Sequence, residues 1–281
     1  MAEQQIILHP GFHRTGTSSI QHFLWANRKV LYPYVQVLLN RHVESVAHLC
    51  TQFSISQNPL DLATMVDALD TAFDAQPATA GRHLIISSET LCGRIPGYAT
   101  TQDYAAVPTL VAYLTTYLQD RFPSANIRVL FTTRDPEPWL FSVYRHVLRS
   151  NRIVEKPDSF ARKFNKAAQF DTTMETVAEA ISPVETLSLP LEDAAQHPQG
   201  PGCVLLDQLS LPSHIFTQVQ PVEVAARGAS THMWQEFLAM NKSDLPDQIL
   251  SAQKNGMARS CLLYTSPSPR DKRQSRMPSS A

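Results

Sequence analysis

The residues best suited to chemistry lie near the N-terminus, in a loop between a short apolar run and a helix-like segment. Residues 6–18 read IILHPGFHRTGTS, so an apolar strand precedes a loop with two glycines and then small hydroxyl residues. Backbone N–H groups at the start of a helix bind anions, and the helix dipole favours negative charge there. The pattern predicts a phosphate-binding loop formed by His13, Arg14, Thr15, Gly16, Thr17 and Ser18. The alternative is an ordinary strand–helix turn with a surface arginine.

This loop has the glycine spacing of a Walker A motif without its lysine. Gly11 and Gly16 are five positions apart, but Thr17 stands where the lysine is expected, and the basic residue is Arg14. The apolar run 127–133 also ends before Arg134, not before the acid that helps to hold magnesium in such enzymes. A P-loop kinase or NTPase is therefore a weaker alternative.

A second basic element follows the apolar run 127–133. Arg134 stands at the end of the predicted strand, and Ser142 follows eight residues later on a helix that begins near Pro136. An arginine can bind a phosphate through two parallel N–H groups, and a serine hydroxyl can add a third bond. Arg145 and Arg149 extend the same helix face. A solvated helix with an Arg134–Asp135 turn is the alternative.

Glu89 is the candidate general base. It directly follows the apolar run His83–Ser88, and a carboxylate at the end of a strand can accept a proton from an attacking hydroxyl. His13 and His146 are alternative bases. A purely structural role, as a helix cap or an ion-pair partner of Arg94, is also open.

Together these stretches resemble PAPS-dependent sulfotransferases. The stretch HPGFHRTGTSSIQ is similar to the 5′-phosphosulfate loop of that family, and is nearest to a bacterial branch with Gly-Phe-His-Lys-Thr-Gly-Thr. The strand-end Arg134 with Ser142 eight residues later is similar to the family's 3′-phosphate site. The resemblance implies transfer of a sulfuryl group from PAPS to an acceptor hydroxyl or amine, with adenosine 3′,5′-bisphosphate as product.

The resemblance also implies roles for individual residues. Arg14 takes the position of the basic residue that stabilises the leaving group, and arginine replaces the family's usual lysine there. Glu89 corresponds to the glutamate that carbohydrate sulfotransferases use as the base. No metal is expected, since Arg14, Arg134 and the loop amides already supply positive charge. A catalytically degenerate PAPS-binding protein is a further alternative.

The elements that must position these residues alternate between apolar strands and amphipathic helices. Strands are predicted near Ile6–His9, His83–Ser88, Ile127–Thr133 and Val184–Leu189. Helices are predicted over Thr17–Val30, Leu60–Phe73, Tyr104–Phe122, Ser230–Met240 and from Pro136. This order predicts an α/β fold with a mainly parallel sheet, flanked by helices on both faces and similar to P-loop sulfotransferases. Ligands of such sheets bind at the carboxyl ends of the strands, where the three clusters fall.

Composition indicates a globular chain. The 281 residues are 43% hydrophobic and 17% charged, with no run long enough to span a bilayer and no CxxC motif among the four cysteines. We expect no signal peptide, because neither a basic n-region nor an apolar core precedes the first strand. We expect a single domain over residues 1–259 and a cytoplasmic location. The net charge of −1 does not favour a nucleic-acid partner. The stretch from Ser260, SCLLYTSPSPRDKRQSRMPSSA, resembles translated sequencing-adapter read-through of metagenomic reading frames, so residues 260–281 are expected to be a non-native or disordered tail.

The acceptor has no readable motif. A sugar, a lipid head group, a polyphenol or a small metabolite all fit the predicted chemistry, and the oligomeric state is open. Trp25, Tyr32 and Tyr34 form an aromatic run that could pack an acceptor, although packing in the core is the favoured interpretation.

Overall fold

The structure is a computed structural model that describes residues 3–76, 81–222 and 233–265, with side chains as far as residue 258. The chain divides into two compact units, Met1–Val143 with Pro157–Ala226 and Tyr144–Lys156 with Arg227–Ala281. The expectation of a single domain over residues 1–259 stays a prediction. Residues 230–232 of the last predicted helix and residues 266–281 of the predicted tail lie outside the described residues.

The first unit is built on a parallel sheet. Within the described residues the strands are β1 (Gln5–His9), β2 (Val35–Leu39), β3 (His83–Ser87), β4 (Asn126–Thr133) and β5 (Glu185–Pro190). They lie in the order β2-β3-β1-β4-β5, and every neighbouring pair is parallel. The predicted α/β class with a mainly parallel sheet is confirmed.

The helices connect these strands and cover both faces of the sheet. In the first unit they are α1 (Thr17–Ala26), α2 (Arg28–Leu31), α3 (Glu44–Ser56), α4 (Leu60–Ala63), α5 (Met65–Asp74), α6 (Val107–Arg121), α7 (Pro136–Ser150, which ends in the second unit), α8 (Pro157–Phe164), α9 (Phe170–Ile181), α10 (Leu191–Ala194), α11 (Cys203–Leu206) and α12 (Ser213–Gln218). Short 3-10 helices span Asn40–His42, Glu89–Cys92 and Asn165–Ala168. Helices α1 and α11 cover one face through the core around Ile7, Ile85 and Leu130, while α6 and α9 contact β4 and β5.

The second unit is described by itself. It contains the end of α7, then α13 (Met233–Asn241) and α14 (Asp247–Thr265). The buried ammonium of Lys254 donates to the carbonyl oxygens of Leu148 and Asn151 and to Asn241 Oδ1, at 2.8–3.1 Å. Three acceptors match the three N–H donors of an ammonium group, so this lysine ties α14 to the end of α7.

The structure departs from the predicted elements in several places. Strand β2 was not expected, although Val35–Leu39 is an apolar run. The predicted helix over Thr17–Val30 is divided at Asn27, whose side chain donates to Phe23 O and to Gln220 O. The predicted helix over Leu60–Phe73 is likewise two helices, α4 and α5.

Core packing was the wrong interpretation for two of the three aromatic residues near β2. Trp25 is 38% exposed and Tyr32 is 58% exposed, whereas Tyr34 is partly buried against the core. Among the described residues, no helix is both long and apolar enough to cross a membrane.

Candidate functional site

The strand order creates a crevice at the carboxyl end of β1. From β1 the chain goes through α1 toward β2 on one side of the sheet, whereas after β4 it continues to β5 on the other side. Loops that leave neighbouring strands in opposite directions open a crevice between them, where ligands of α/β sheets bind. The predicted phosphate loop follows β1, and Arg134 follows β4, so both border this crevice.

The backbone of the loop has an unusual conformation at three positions. Gly11, Arg14 and Gly16 all have positive φ angles, of 56°, 66° and 95°. Arginine rarely adopts this conformation, whereas glycine does so at no steric cost. Gly16 also immediately precedes α1 and offers no side chain to cap it. The N–H group of Ser19 donates to Gly16 O at 3.0 Å, so the N–H groups of Thr17 and Ser18 are the ones that can bind another acceptor.

Hydrogen bonds from buried side chains fix the conformation of the loop. The Thr15 hydroxyl contacts the carbonyl oxygen of Phe12 at 2.5 Å and the hydroxyl of Thr132 at 2.8 Å. The Cys92 thiol donates to Gly11 O at 2.6 Å, and burial raises the pKa of this thiol, which keeps it protonated. The loop is therefore held in shape by its own strand neighbours.

A cluster of aromatic side chains also packs against the loop and binds its main chain. The Phe12 ring lies 4.5–4.8 Å from the rings of Tyr104, Phe131 and Phe170. Trp139 Nε1 donates to the carbonyl oxygen of His13 at 2.7 Å, and the N–H of His13 donates to the Tyr104 hydroxyl at 3.2 Å. The main chain of His13 is thus bound to buried aromatic side chains, and its half-buried ring lies against Tyr104.

Three of the residues predicted to bind the nucleotide phosphates lie together. Arg14 Nε donates to Ser142 Oγ at 3.1 Å, and Arg134 Nη1 donates to Arg14 O at 3.3 Å. All three are partly exposed, so the guanidinium groups are accessible from the crevice. Two guanidinium groups beside the start of a helix form a strongly positive site that fits an oxyanion.

The hydroxyl residues of the loop occupy different environments. Thr15 and Thr17 are buried, and the hydroxyl of Thr15 is engaged inside the loop. Ser18 is exposed at the first turn of α1. The methyl group of Thr17 packs so closely on Gly11 that a Cβ there would lie 2.5 Å from it.

Glu89 lies directly after β3, in the 3-10 helix Glu89–Cys92. Its Oε2 atom accepts Gln21 Nε2 at 2.7 Å and approaches Asn40 Nδ2 at 3.5 Å. Arg94, the ion-pair partner considered from the sequence, instead donates to Thr100 and stacks on Tyr98. Two neutral amides orient the carboxylate without neutralising it, which suits a proton acceptor.

Some residues that shape the site carry no sequence signal of their own. Gln21 and Asn40 orient Glu89, and Thr132, Cys92 and Trp139 hold the loop. Recognition of Val35–Leu39 as a strand would have placed Asn40 at the same sheet edge as Glu89. His146, Arg145 and Arg149 belong to the second unit and stay predictions.

Within the described residues, one group of possible metal ligands was found, and it is not part of the loop. It consists of His197, Cys203 and Asp207, whose ligand atoms lie within 4.8 Å of one another. His197 Nδ1 accepts the N–H of Gln199, and its Nε2 lies 3.4 Å from Asp207 Oδ2. Burial raises the pKa of the Cys203 thiol to about 12. These contacts account for the group without a metal ion.

Comparison with known proteins gives little direct information. No family model matches the chain, and no curated protein matches it. Among solved structures, a sulfotransferase from Alicyclobacillus acidocaldarius aligns with 95% of this chain and 98% of its own, with 14% sequence identity and a TM-score of 0.44. The residues of the loop and its neighbours therefore carry the evidence for function.

Proposed function

We propose that the protein transfers a sulfuryl group from PAPS to an acceptor hydroxyl or amine. The observation that carries this proposal is the contact of Arg14 with both Ser142 and Arg134 at the mouth of the loop. The resemblance to sulfotransferases implies that Arg14 binds the 5′-phosphosulfate and that Arg134 with Ser142 binds the 3′-phosphate. Their contact supports the proposal, because a single nucleotide that carries both groups requires two neighbouring phosphate sites.

The proposed step is an in-line displacement at sulfur. The acceptor oxygen attacks the sulfur atom, the bond between sulfur and the bridging phosphate oxygen breaks, and the acceptor proton passes to Glu89. Adenosine 3′,5′-bisphosphate leaves with the electron pair of the broken bond. Negative charge grows on the leaving phosphate, so Arg14 and the N–H groups at the start of α1 stabilise the transition state more than the ground state.

Two alternatives remain from the sequence. A P-loop kinase or NTPase would need a cation at the β- and γ-phosphates, but Thr17 is buried at the lysine position. A PAPS-binding protein without activity would share the donor site and lack transfer. Neither is favoured by a specific contact.

The 3′-phosphate is the feature that separates PAPS from other adenine nucleotides, so it provides the test. We expect Arg134→Ala to weaken adenosine 3′,5′-bisphosphate at least ten-fold and adenosine 5′-phosphate less than three-fold, because a charged hydrogen bond contributes about 1.5–3 kcal/mol. The measurement is isothermal titration calorimetry with both nucleotides.

The control variant is Arg162→Ala, which removes an exposed arginine of α8 that donates to the hydroxyl of Ser159 on the same helix. Equal losses for both nucleotides on Arg134→Ala would refute the 3′-phosphate assignment. Tight binding of ATP with magnesium, and no binding of adenosine 3′,5′-bisphosphate, would favour the NTPase alternative.

A further inference from the structure

A cavity of about 440 Å³ lies along the edge strand β2. It is bordered by the end of α1, by α2, by β2 and by the 3-10 helix Asn40–His42. Its polar and aromatic lining includes Trp25, Arg28, Lys29, Tyr32, Arg41 and His42. This size lies within the range of small-molecule sites in proteins.

The cavity is connected to Glu89 through two elements. Gln21, which donates to Glu89, lies four residues before Trp25 on α1, so the two side chains share one helix face and are about 6 Å apart along the axis. Asn40, which also approaches Glu89, directly precedes Arg41. The lining of the cavity therefore begins about one helical turn from Gln21 and one residue after Asn40.

The indole of Trp25 fixes two guanidinium groups in the cavity. Arg28 Cζ lies 3.7 Å and Arg41 Cζ lies 3.5 Å from the ring centroid. Two groups this near to one centroid cannot occupy the same face, so the indole is held between them. Cation–π contacts of this kind restrain flexible arginines and leave most of their N–H donors free to bind oxygen.

The charged side chains that line the cavity are basic. The residues that line it include no aspartate or glutamate, and in the part of the chain that the structure describes Arg28, Lys29 and Arg41 form no ion pair. Arg28 Nη1 donates to Trp25 O at 2.6 Å, and Arg41 Nε lies 3.2 Å from His42 Nε2. Each planar guanidinium has five donors, so these contacts leave donors available for a carboxylate or a sulfate.

We propose that this cavity binds an anionic group of the acceptor, so that the acceptor is a polyhydroxylated acid such as an acidic oligosaccharide. The inference rests on the proposed function, because it takes Glu89 as the base that receives the acceptor's hydroxyl proton. One sugar ring presents its hydroxyl at Glu89, and carboxylates or sulfate esters on neighbouring rings pair with Arg28 on one face of the indole and with Arg41 on the other. A neutral sugar, a phenol or a lipid alcohol would give these arginines no anionic group to pair with.

The test measures binding without any donor nucleotide. Hexagalacturonate, a heparin hexasaccharide and neutral maltohexaose are titrated into the full chain by calorimetry. We expect at least one acidic hexasaccharide to bind ten-fold more tightly than maltohexaose. Arg28→Gln and Arg41→Gln should each weaken it at least five-fold, whereas the matched control Arg162→Gln should stay within two-fold. Preference for hexagalacturonate or for heparin identifies the carboxylate or the sulfate as the anion that is bound.

The variants separate this inference from the proposed function. We expect Arg41→Gln to lose the acidic hexasaccharide and keep adenosine 3′,5′-bisphosphate, and Arg134→Ala to do the reverse. All these arginines are at least partly exposed, and thermal melting of each variant checks that the fold is retained. Equal binding of maltohexaose, equal weakening by Arg162→Gln, or no binding of either acidic hexasaccharide would overturn the inference, whatever the nucleotide titrations give.

Discussion

At the scale of single residues, Arg14 adopts a backbone conformation that is unfavourable for arginine. It does so at the position where the proposed donor site needs a basic side chain. Its φ of 66° lies in the left-handed region, which costs a residue other than glycine about 1 kcal/mol. Strain of this kind is found at functional sites, where the surrounding structure maintains it. Here Ser142 and Arg134 contact the side chain and the carbonyl oxygen of the same residue.

The variant Arg14→Gly should therefore weaken nucleotide binding strongly while changing the free energy of unfolding little. Glycine removes the strain, so we expect the free energy of unfolding to change by no more than about 1 kcal/mol. The guanidinium is lost, so adenosine 3′,5′-bisphosphate should bind at least ten-fold more weakly. Arg14→Lys, which keeps a positive charge at this position, should retain most of the affinity. Urea unfolding and calorimetry provide both readings, and undiminished nucleotide binding by Arg14→Gly would exclude Arg14 from the site.

Glu89 gives a second prediction at this scale. Glu89→Gln keeps the size of the side chain and an oxygen that can accept the Gln21 amide, but it removes the proton acceptor. We expect turnover with PAPS to fall at least 100-fold, since positioned general bases contribute about 10²–10⁴-fold, while nucleotide affinity stays within two-fold. Gln21→Ala is the companion variant, and it should reduce turnover less, because the carboxylate remains. Full activity of Glu89→Gln would move the role of base to His13 or His146.

At the scale of elements, Gly16 joins the loop to α1. A Cβ at Gly16 would lie 2.4 Å from Leu191 Cδ1, and the φ of 95° is unfavourable for alanine. Gly81 is the matched control, because its φ of 76° is similarly unfavourable while a Cβ added there would meet no atom within 4 Å. We expect Gly81→Ala to lower the free energy of unfolding by about 1–2 kcal/mol, and Gly16→Ala to lower it further, because Leu191 must also move. Gly16→Ala alone should also weaken nucleotide binding, and an equal effect of both variants on binding would contradict the role of this turn.

Elements that rest on local patterns were predictable from the sequence, and those that rest on distant contacts were not. Strands β1, β3 and β4 are apolar runs buried on both faces, which explains their agreement with the structure. The end of α1 depends on Asn27, whose amide bonds the chain near Gln220, and nothing in the sequence around residue 27 reveals that pairing. The exposure of Trp25 depends on Arg28 and Arg41 lying on its two faces, which requires the position of β2. The loop motif and Arg134 could be predicted because their spacing is local, whereas Gln21 and Asn40 became visible only in three dimensions.

At the scale of the whole molecule, stability depends on a buried histidine that joins the central strands. His9 ends β1, and its ring nitrogens contact Ser87 Oγ on β3 at 2.8 Å and Thr132 Oγ1 on β4 at 3.4 Å. Thr132 also contacts Thr15, so the same network extends into the loop. Burial lowers the pKa of His9 to about 4, against a smaller opposite effect from the charge of Glu89.

This pKa predicts how the fold responds to acid. His9 is neutral in the folded protein down to about pH 4, whereas in the unfolded chain it binds a proton below its ordinary pKa of 6.5. Between these values the unfolded state holds more protons, so the free energy of unfolding falls as the pH falls, by at most roughly 3 kcal/mol from this residue. The control is His9→Gln, which keeps a polar side chain between Ser87 and Thr132 and cannot titrate. We expect urea unfolding at pH 7, 6, 5 and 4.5 to give a steeper loss for the natural chain than for His9→Gln. Parallel curves would mean that His9 does not carry the acid sensitivity of the sheet.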